Sequence, residues 1–225
     1  MNILAFDTST ETLSIALSAN GQRYVHHSEG GAKASKSLLG HIHELLTQAQ
    51  LKVADLDLIA FGAGPGSFTG LRTACAAAQG LAYAYQISVL PISCLLATAQ
   101  QAFNQTQASY IQVVLDARMS EVYSSQYEFK NNQWHCLQQP HTVAPQELLP
   151  VAQALVAGNA YAVYQEAWQN ITEHFYALPS ASAMLDLAPA LYAQGQAIAA
   201  HLAVPHYVRD KVALSTAERM AKALL

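Results

Sequence analysis

The sequence predicts a mixed α/β fold built from two related lobes. Apolar runs typical of strands are followed by helical patterns in both halves of the 225-residue chain. A strand, an acidic turn and a second strand occur at residues 3–17, and the same order returns at residues 111–127. A glycine-rich loop at residues 62–72 leads from a strand into a helix of small apolar residues.

The N-terminal segment is predicted to form a hairpin. Apolar residues 3–6 lead into Asp7, Thr8 and Ser9, and residues 13–17 then alternate with a period of two. Such alternation is typical of a half-buried strand. Asp, Thr and Ser are also usual residues of turns and caps, so a purely local role is one interpretation of this triplet.

Two helices are predicted next, at about residues 35–50 and 69–85. The first has an apolar stripe on one face, after the capping candidates Ser35 and Ser37. The second is apolar almost all round and must therefore be covered on most sides. Its cover is either the sheet of the same chain or a partner helix, and the residues alone leave both alternatives open.

The loop before the second helix contains Gly62, Gly64, Gly66 and Gly70. Its spacing excludes two nucleotide-binding motifs, because no Lys-Ser/Thr follows a Gly-x-x-x-x-Gly and the dinucleotide pattern Gly-x-Gly-x-x-Gly is exceeded by one residue. Helix N-termini commonly bind phosphate, which is one interpretation of the loop. The other is that the glycines only allow a sharp turn and close packing.

The second half repeats the first with changes. The polar stretch 104–109 predicts a boundary between an N-terminal lobe, residues 1–105, and a shorter C-terminal lobe, residues 106–225. A turn at 130–133, a short strand or buried segment at 154–157 and a helix over 180–202, interrupted or restarted at Pro189, are expected to follow. Residues 205–212 are predicted to be extended or looped, and a capping box at 215–218 predicts a last helix that ends at Leu225.

Composition narrows the class of protein. The net charge is −4, and no run of Lys and Arg provides the footprint of a protein that grips nucleic acid by itself. The scattered cysteines Cys75, Cys94 and Cys136 are typical of reduced, buried thiols. No signal peptide and no membrane span is predicted, so we expect a cytoplasmic protein.

Four segments together resemble one family. They are Asp7-Thr8-Ser9, residues 64–72 (Gly-Pro-Gly-Ser-Phe-Thr-Gly-Leu-Arg), residues 115–118 (Leu-Asp-Ala-Arg) with 121–123 (Glu-Val-Tyr), and residues 207–213 (Tyr-Val-Arg-Asp-Lys-Val-Ala). In this order they resemble the bacterial TsaB family, also called YeaZ, from residue 1 to about residue 219. The resemblance implies a two-lobed actin- and hexokinase-like (ASKHA) fold with duplicated mixed-sheet lobes. It also implies a role in forming N6-threonylcarbamoyladenosine at position 37 of tRNAs that read codons beginning with A.

The resemblance further implies a non-catalytic subunit. Its partners would be the metal-bearing catalytic paralogue TsaD and the ATPase TsaE, while TsaC supplies threonylcarbamoyl-adenylate. No intrinsic cofactor is expected, since ATP or ADP and a metal would belong to the partner complex. The chain would contact tRNA only indirectly and would form a homodimer when alone.

Candidate nucleotide-proximal residues follow from the fold that the resemblance implies, in which the first hairpin turn handles phosphate or its metal. They are Asp7, Thr8, Ser9, Gly66, Ser67, Thr69, Arg72, Asp116 and Arg118. Asp116 is the counterpart of the first turn in the second lobe. Arg72 and Arg118 would meet a carboxylate or phosphate of the partner. The alternative is an internal salt bridge, which we favour for Arg118 with Glu121, and which stays open for Arg72.

A metal site is not predicted. Paired metal-binding histidines on a helix stand four residues apart, and no two of the nine histidines do. His41 and His43 would point about 200° apart on a helix.

The two apolar helices are predicted to form the contact with the catalytic partner and, in the isolated protein, a homodimer through the same face. The residues assigned to this contact are Leu38, Ile42, Leu45, Leu46, Leu71, Cys75, Ala78 and Ala82. A charge such as Ala78→Glu would then weaken both assemblies and leave the monomer folded. The segment Arg209-Asp210-Lys211 either packs the tail on the core or forms an edge for another subunit.

Two other functions remain as alternatives. A free-standing ATP-dependent kinase of the same fold would consume ATP with a small acceptor. A metallopeptidase-like enzyme would need a metal site.

Overall fold

The computed structural model describes residues 1–169, 171 and 173–209, and within them ten strands form two five-stranded sheets. The first sheet contains β1 (Ile3–Asp7), β2 (Thr12–Ala19), β3 (Gln22–Glu29), β4 (Leu58–Gly64) and β5 (Ser88–Ser93), in the order β3-β2-β1-β4-β5. The second contains β6 (Tyr110–Arg118), β7 (Glu121–Lys130), β8 (Gln133–Val143), β9 (Leu155–Ala157) and β10 (His174–Phe175), in the order β10-β9-β6-β7-β8.

The two sheets have the same topology. In each sheet the first two strands form an antiparallel hairpin. The third strand pairs antiparallel with the second, and the fourth strand pairs parallel with the first. The order β3-β2-β1-β4-β5 therefore corresponds to β8-β7-β6-β9-β10. The predicted α/β class with duplicated mixed-sheet lobes is confirmed.

The described residues contain five α-helices: α1 (Ala34–Gln48), α2 (Phe68–Tyr83), α3 (Cys94–Thr106), α4 (Ala160–Val163) and α5 (Ala181–Ala193). Ser67, Ser93 and Ser180 each stand directly before a helix and accept the N–H group three residues further on. Such serines satisfy backbone donors that the helix itself leaves free, which fixes the start of α2, α3 and α5. None of the described helices is long and apolar enough to span a lipid bilayer.

Helices cover both faces of the first sheet. Alternate residues of β1 point to opposite sides, so Leu4 and Phe6 pack with α1 and α2, whereas Ile3 and Ala5 pack with α5. Because α5 comes from the second half of the chain, the division into lobes at residues 105 and 106 stays a prediction.

Three details differ from the sequence-based prediction. Helix α5 continues through Pro189 and ends at Ala193, because the chain reverses at Gly195 in a left-handed conformation (φ 75°). A short 3-10 turn follows only at Ala200–Leu202.

Cys75 and Cys94 are buried as expected, but Cys136 is exposed on β8. The predicted capping box and last helix lie outside the described residues.

Candidate functional site

A cleft of about 440 Å³ lies between the turns of the two hairpins. Its walls come from the β1–β2 turn, the glycine loop, the β6–β7 turn and the chain before residue 210. The lining residues include Ser9, Thr10, Glu11, Gly66, Ser67, Asp116, Arg118, Asn159, Tyr207 and Arg209. Five of the nine nucleotide-proximal candidates line this cleft: Ser9, Gly66, Ser67, Asp116 and Arg118.

Asp7 lies beneath the cleft and is fully buried. One carboxylate oxygen accepts the backbone N–H of Ser9 at 2.8 Å and its hydroxyl at 2.7 Å. The other accepts the Cys94 thiol at 3.3 Å. Burial raises the pKa of Asp7, against the lowering effect of the Ser9 hydrogen bonds. Both oxygens of Asp7 are thus engaged inside the protein.

Glycines allow the first turn to pack directly on the loop before α2. A Cβ at Gly62 would overlap the Asp7 carboxylate, and one at Gly70 would overlap the carbonyl oxygen of Thr8. A Cβ at Gly66 would lie 2.6 Å from that of Ser9. Each glycine is therefore required by a close approach of two segments, which favours the packing interpretation of the loop.

The donors of this loop point to the same interpretation. The Ser67 amide donates to the Ser9 carbonyl at 2.8 Å, and the Leu71 amide donates to the Ser67 carbonyl at 2.8 Å. The Gly70 amide donates to the Ser67 hydroxyl, while the Thr8 hydroxyl donates to the Gly70 carbonyl at 2.7 Å. The amides of Ser67, Gly70 and Leu71 therefore already donate to acceptors within the protein. Phosphate contact by the loop stays a prediction.

Asp116 holds the second turn. Its carboxylate accepts the Arg118 N–H at 2.9 Å and the Tyr164 hydroxyl at 3.0 Å, and it pairs with the Arg118 guanidinium at 3.1 Å. The predicted internal salt bridge of Arg118 thus exists, but its partner is Asp116 and the prediction of Glu121 was wrong. Because the Arg118 side chain remains 79% exposed at the mouth of the cleft, its remaining donors can reach an anion.

Glu121 pairs instead with Arg209. The chain leading to Arg209 also bonds the first lobe, where His206 N–H donates to the Ala63 carbonyl at 2.7 Å. The Cys75 thiol donates to the Ala203 carbonyl at 3.2 Å. Residues 203–209 therefore run across the cleft and join the glycine loop to the second hairpin. Arg209 packs this segment on the core, while Asp210 and Lys211 lie outside the described residues.

Arg72 and Thr69 lie outside the cleft, on the outer surface of α2. The Arg72 guanidinium stacks 3.9 Å from the ring centroid of Phe68, and its Nε donates to the Tyr207 hydroxyl at 3.1 Å. The Phe68 and Tyr207 rings stack on each other with centroids 5.5 Å apart. This aromatic contact replaces the salt bridge that was one alternative for Arg72.

The side chains assigned to the partner contact are all buried in the core of the same chain, so that assignment was wrong. They are Leu38, Ile42, Leu45, Leu46, Leu71, Cys75, Ala78 and Ala82, each exposed by 6% or less. The apolar stripes of α1 and α2 are covered by the first sheet and by each other. A glutamate at Ala78 would place a charge in this core and destabilise the monomer itself.

Beside these buried stripes α1 and α2 form an open apolar groove, with Leu38 at its base, which we call the α1–α2 groove. Leu39 is 56% exposed there and Phe68 is 40% exposed. The groove is lined by Ser35, Leu38, Leu39, Phe68, Thr69, Arg72, Thr73, Ala76 and Ala77. In the sequence, the groove is indicated by Leu39, an apolar residue of α1 that lies outside the buried stripe.

Comparison with known proteins gives consistent results. A family model for TsaD, described as tRNA N6-adenosine threonylcarbamoyltransferase, matches residues 15–224. The chain is 37% identical to the tRNA threonylcarbamoyladenosine biosynthesis protein TsaB of Haemophilus influenzae, over 94% of this chain and 95% of that protein. It is 31% identical to the protein of the same name in Escherichia coli K12, over 95% of this chain and 96% of that protein.

Solved structures agree. The chain is similar to a Pseudomonas aeruginosa protein described as uncharacterized with similarity to peptidase YEAZ, with a TM-score of 0.86 and 33% identity. The similarity to YeaZ from Pseudomonas aeruginosa has a TM-score of 0.84 and 33% identity. In both cases it covers 92% of this chain and 99% of the other. These similarities confirm the two-lobed ASKHA-like class.

Proposed function

Because this chain belongs to the TsaB family of tRNA threonylcarbamoyladenosine biosynthesis proteins, we propose that it is the non-catalytic partner subunit of the complex that forms N6-threonylcarbamoyladenosine. The modified position is position 37 of tRNAs that read codons beginning with A. The chain binds and organises a TsaD-like catalytic subunit. A TsaE-like ATPase completes the assembly, which works in the cytoplasm.

The α1–α2 groove is the observation that carries this proposal. It combines two exposed large apolar side chains, Leu39 and Phe68, with the small residues Ala76 and Ala77. Small residues let a second helix approach closely, and Leu39 and Phe68 supply apolar surface whose burial against a partner is favourable. An exposed apolar patch between ordered helices is typical of a protein contact surface. The isolated chain would cover the same groove with a second copy of itself.

The non-catalytic role is supported by the state of the first hairpin turn. Asp7 is buried and both its oxygens accept hydrogen bonds from Ser9 and Cys94. A carboxylate held in this way is poorly placed to ligate a nucleotide-bound metal in the cleft. The ATP or ADP and the metal of the reaction therefore belong to the partner complex.

Indirect contact with tRNA is supported by charge. The chain has a net charge of −4, and affinity for nucleic acid depends chiefly on basic side chains that neutralise phosphates. The other subunits therefore contribute most of the binding affinity for tRNA.

Reconstitution tests the proposal. Threonylcarbamoyl transfer to tRNA is measured with the TsaC-, TsaD- and TsaE-like proteins of the same organism, with and without this chain. Modification only in the complete mixture, with no magnesium-dependent ATP consumption by this chain alone, supports the subunit role. Equal modification without the chain contradicts it. Turnover of ATP with a small acceptor by the chain alone would instead support a free-standing kinase.

A further inference from the structure

Three metal-binding side chains meet at the outer edge of the first sheet, outside the cleft. They are His26 on β3 and His41 and Glu44 on α1, and one ligand atom of each lies within 4.8 Å of the others. The two imidazole rings stack with centroids 3.8 Å apart and an interplanar angle of 24°. His41 Nδ1 lies 3.0 Å from a carboxylate oxygen of Glu44.

The fold places these side chains together. Along the edge strand β3, Tyr24, His26 and Ser28 are half-buried, whereas the residues between them are exposed. The half-buried face is covered by α1, which packs on β2 and β3. His41 and Glu44 are three residues apart on α1 and therefore share one face of the helix.

One ring nitrogen of His26 lacks a hydrogen-bond partner. Its Nε2 is buried and has no hydrogen-bond partner, and the Ser28 hydroxyl on the same face of β3 also lacks one. A buried polar atom without a partner is costly, so a native protein usually provides one.

We propose that His26, His41 and Glu44 bind a divalent transition-metal ion, for which Zn²⁺ is the best match. Zinc takes imidazole nitrogen at about 2.0–2.1 Å and carboxylate oxygen at about 2.0–2.2 Å, so ligand atoms around one tetrahedral ion lie about 3.3–3.5 Å apart. The ligand atoms now lie within 4.8 Å of one another, and His41 Nδ1 is 3.0 Å from Glu44, so binding requires the stacked His26 and His41 rings to turn until their nitrogens point at one ion. With three protein ligands and a partly exposed position, a water molecule completes the coordination.

The ion would clamp α1 to the edge strand β3. This inference does not depend on the proposed function, because the site lies outside the cleft and differs from the metal of the catalytic partner. It revises the sequence-based expectation that no histidine is a ligand. That expectation considered pairs on one helix, whereas this pair joins a strand to a helix.

The test is a titration of the full chain, free of any affinity tag, with Co²⁺ and then Zn²⁺. One Co²⁺ per chain is expected, with the visible absorption bands of a tetrahedral site, and Zn²⁺ should displace it. The variants His26→Gln, His41→Gln and Glu44→Gln should each weaken binding at least about tenfold. Two matched controls, His27→Gln on the opposite face of β3 and His43→Gln on the exposed side of α1, should bind like the wild type.

A second readout separates binding from folding. Zn²⁺ should raise the melting temperature of the wild type and of both controls, and raise that of His41→Gln less at the same Zn²⁺ concentration, because an ion that binds only the folded state stabilises it in proportion to the logarithm of its affinity. His41 serves here because it lies near the helix surface, where the substitution preserves the core. The proposal is overturned if Co²⁺ does not bind one to one, or if the controls lose affinity as much as the three ligand variants.

Discussion

Asp7 and Asp116 hold their hairpin turns through the same bond, in which the carboxylate accepts the N–H group two residues further on. The distance from the amide nitrogen to the carboxylate oxygen is 2.8 Å for Ser9 and Asp7, and 2.9 Å for Arg118 and Asp116. Their surroundings differ, because Asp7 is sealed beneath the cleft against Cys94, whereas Asp116 faces the cleft with Arg118 and Tyr164. The Asp7 carboxylate is thus sealed inside the protein, whereas Asp116 lines the cleft with a carboxylate that is 5% exposed.

Asp7→Asn should preserve function. The amide oxygen can still accept both Ser9 hydrogen bonds, so we expect threonylcarbamoyl transfer by the complete mixture at close to the wild-type rate. Asp7→Ala leaves the Ser9 donors without an acceptor and should lower the free energy of unfolding by about 2–3 kcal/mol. Denaturant unfolding and the transfer assay measure the two effects. Loss of transfer in a folded Asp7→Asn protein would show that the carboxylate takes part in the chemistry.

The pH dependence of Asp7→Asn follows from the raised pKa of Asp7. A raised folded-state pKa means that the stabilising contribution of the protonated carboxyl is complete below the unfolded value, 3.8, and is lost as the pH rises through the folded value. Asparagine has no such loss. The difference in unfolding free energy between variant and wild type should therefore shift in favour of the variant as the pH rises above 3.8. A shift in the opposite direction contradicts this account of the buried carboxylate.

Gly70→Ala should be strongly destabilising, because the added Cβ would overlap the carbonyl oxygen of Thr8. We expect a loss of about 2–3 kcal/mol or more from this overpacking. Gly80→Ala is the matched control on the same helix, since nothing lies within 4 Å of its added Cβ. That variant should gain about 0.5–1 kcal/mol from higher helix propensity. Equal effects in thermal or denaturant unfolding would argue against close packing as the role of Gly70.

Arg209→Met should loosen the segment that crosses the cleft. The Arg209 side chain is 14% exposed and Glu121 is 41% exposed, so we expect a loss of about 1–2 kcal/mol after allowance for solvent screening. In the control Lys33→Met, the partner Glu29 is 73% exposed and the lysine 70% exposed. That loss should stay below about 0.5 kcal/mol. A double-mutant cycle with Glu121→Gln assigns the coupling, and additivity of Arg209→Met and Glu121→Gln would show that the pair is not coupled.

Local patterns were sufficient to predict much of this fold. Both hairpins could be identified because their apolar runs and acidic turns are contiguous in sequence. Sequence periodicity also identified the apolar faces of α1 and α2, but could not show what covers them. Ala78 therefore seemed available to a partner, although the first sheet covers it.

Contacts between distant segments were beyond prediction. Glu121 was expected to pair with its near neighbour Arg118, yet Arg209 reaches it from the end of the described chain. The His26 and His41 rings stack only because α1 packs on β3. In both cases the tertiary fold selects a partner that sequence spacing does not favour.

The most direct test of the proposed function is the affinity of this chain for the TsaD-like protein of the same organism, measured by titration calorimetry. Leu39→Glu and Ala76→Glu place a charge in the α1–α2 groove at exposed positions, so the monomer should stay folded. Leu137→Glu, at a position that is 52% exposed on β8, is the control. We predict that each groove variant binds at least about tenfold more weakly, while the control binds like the wild type. Wild-type affinity in both groove variants would contradict the assignment of the α1–α2 groove as the partner surface.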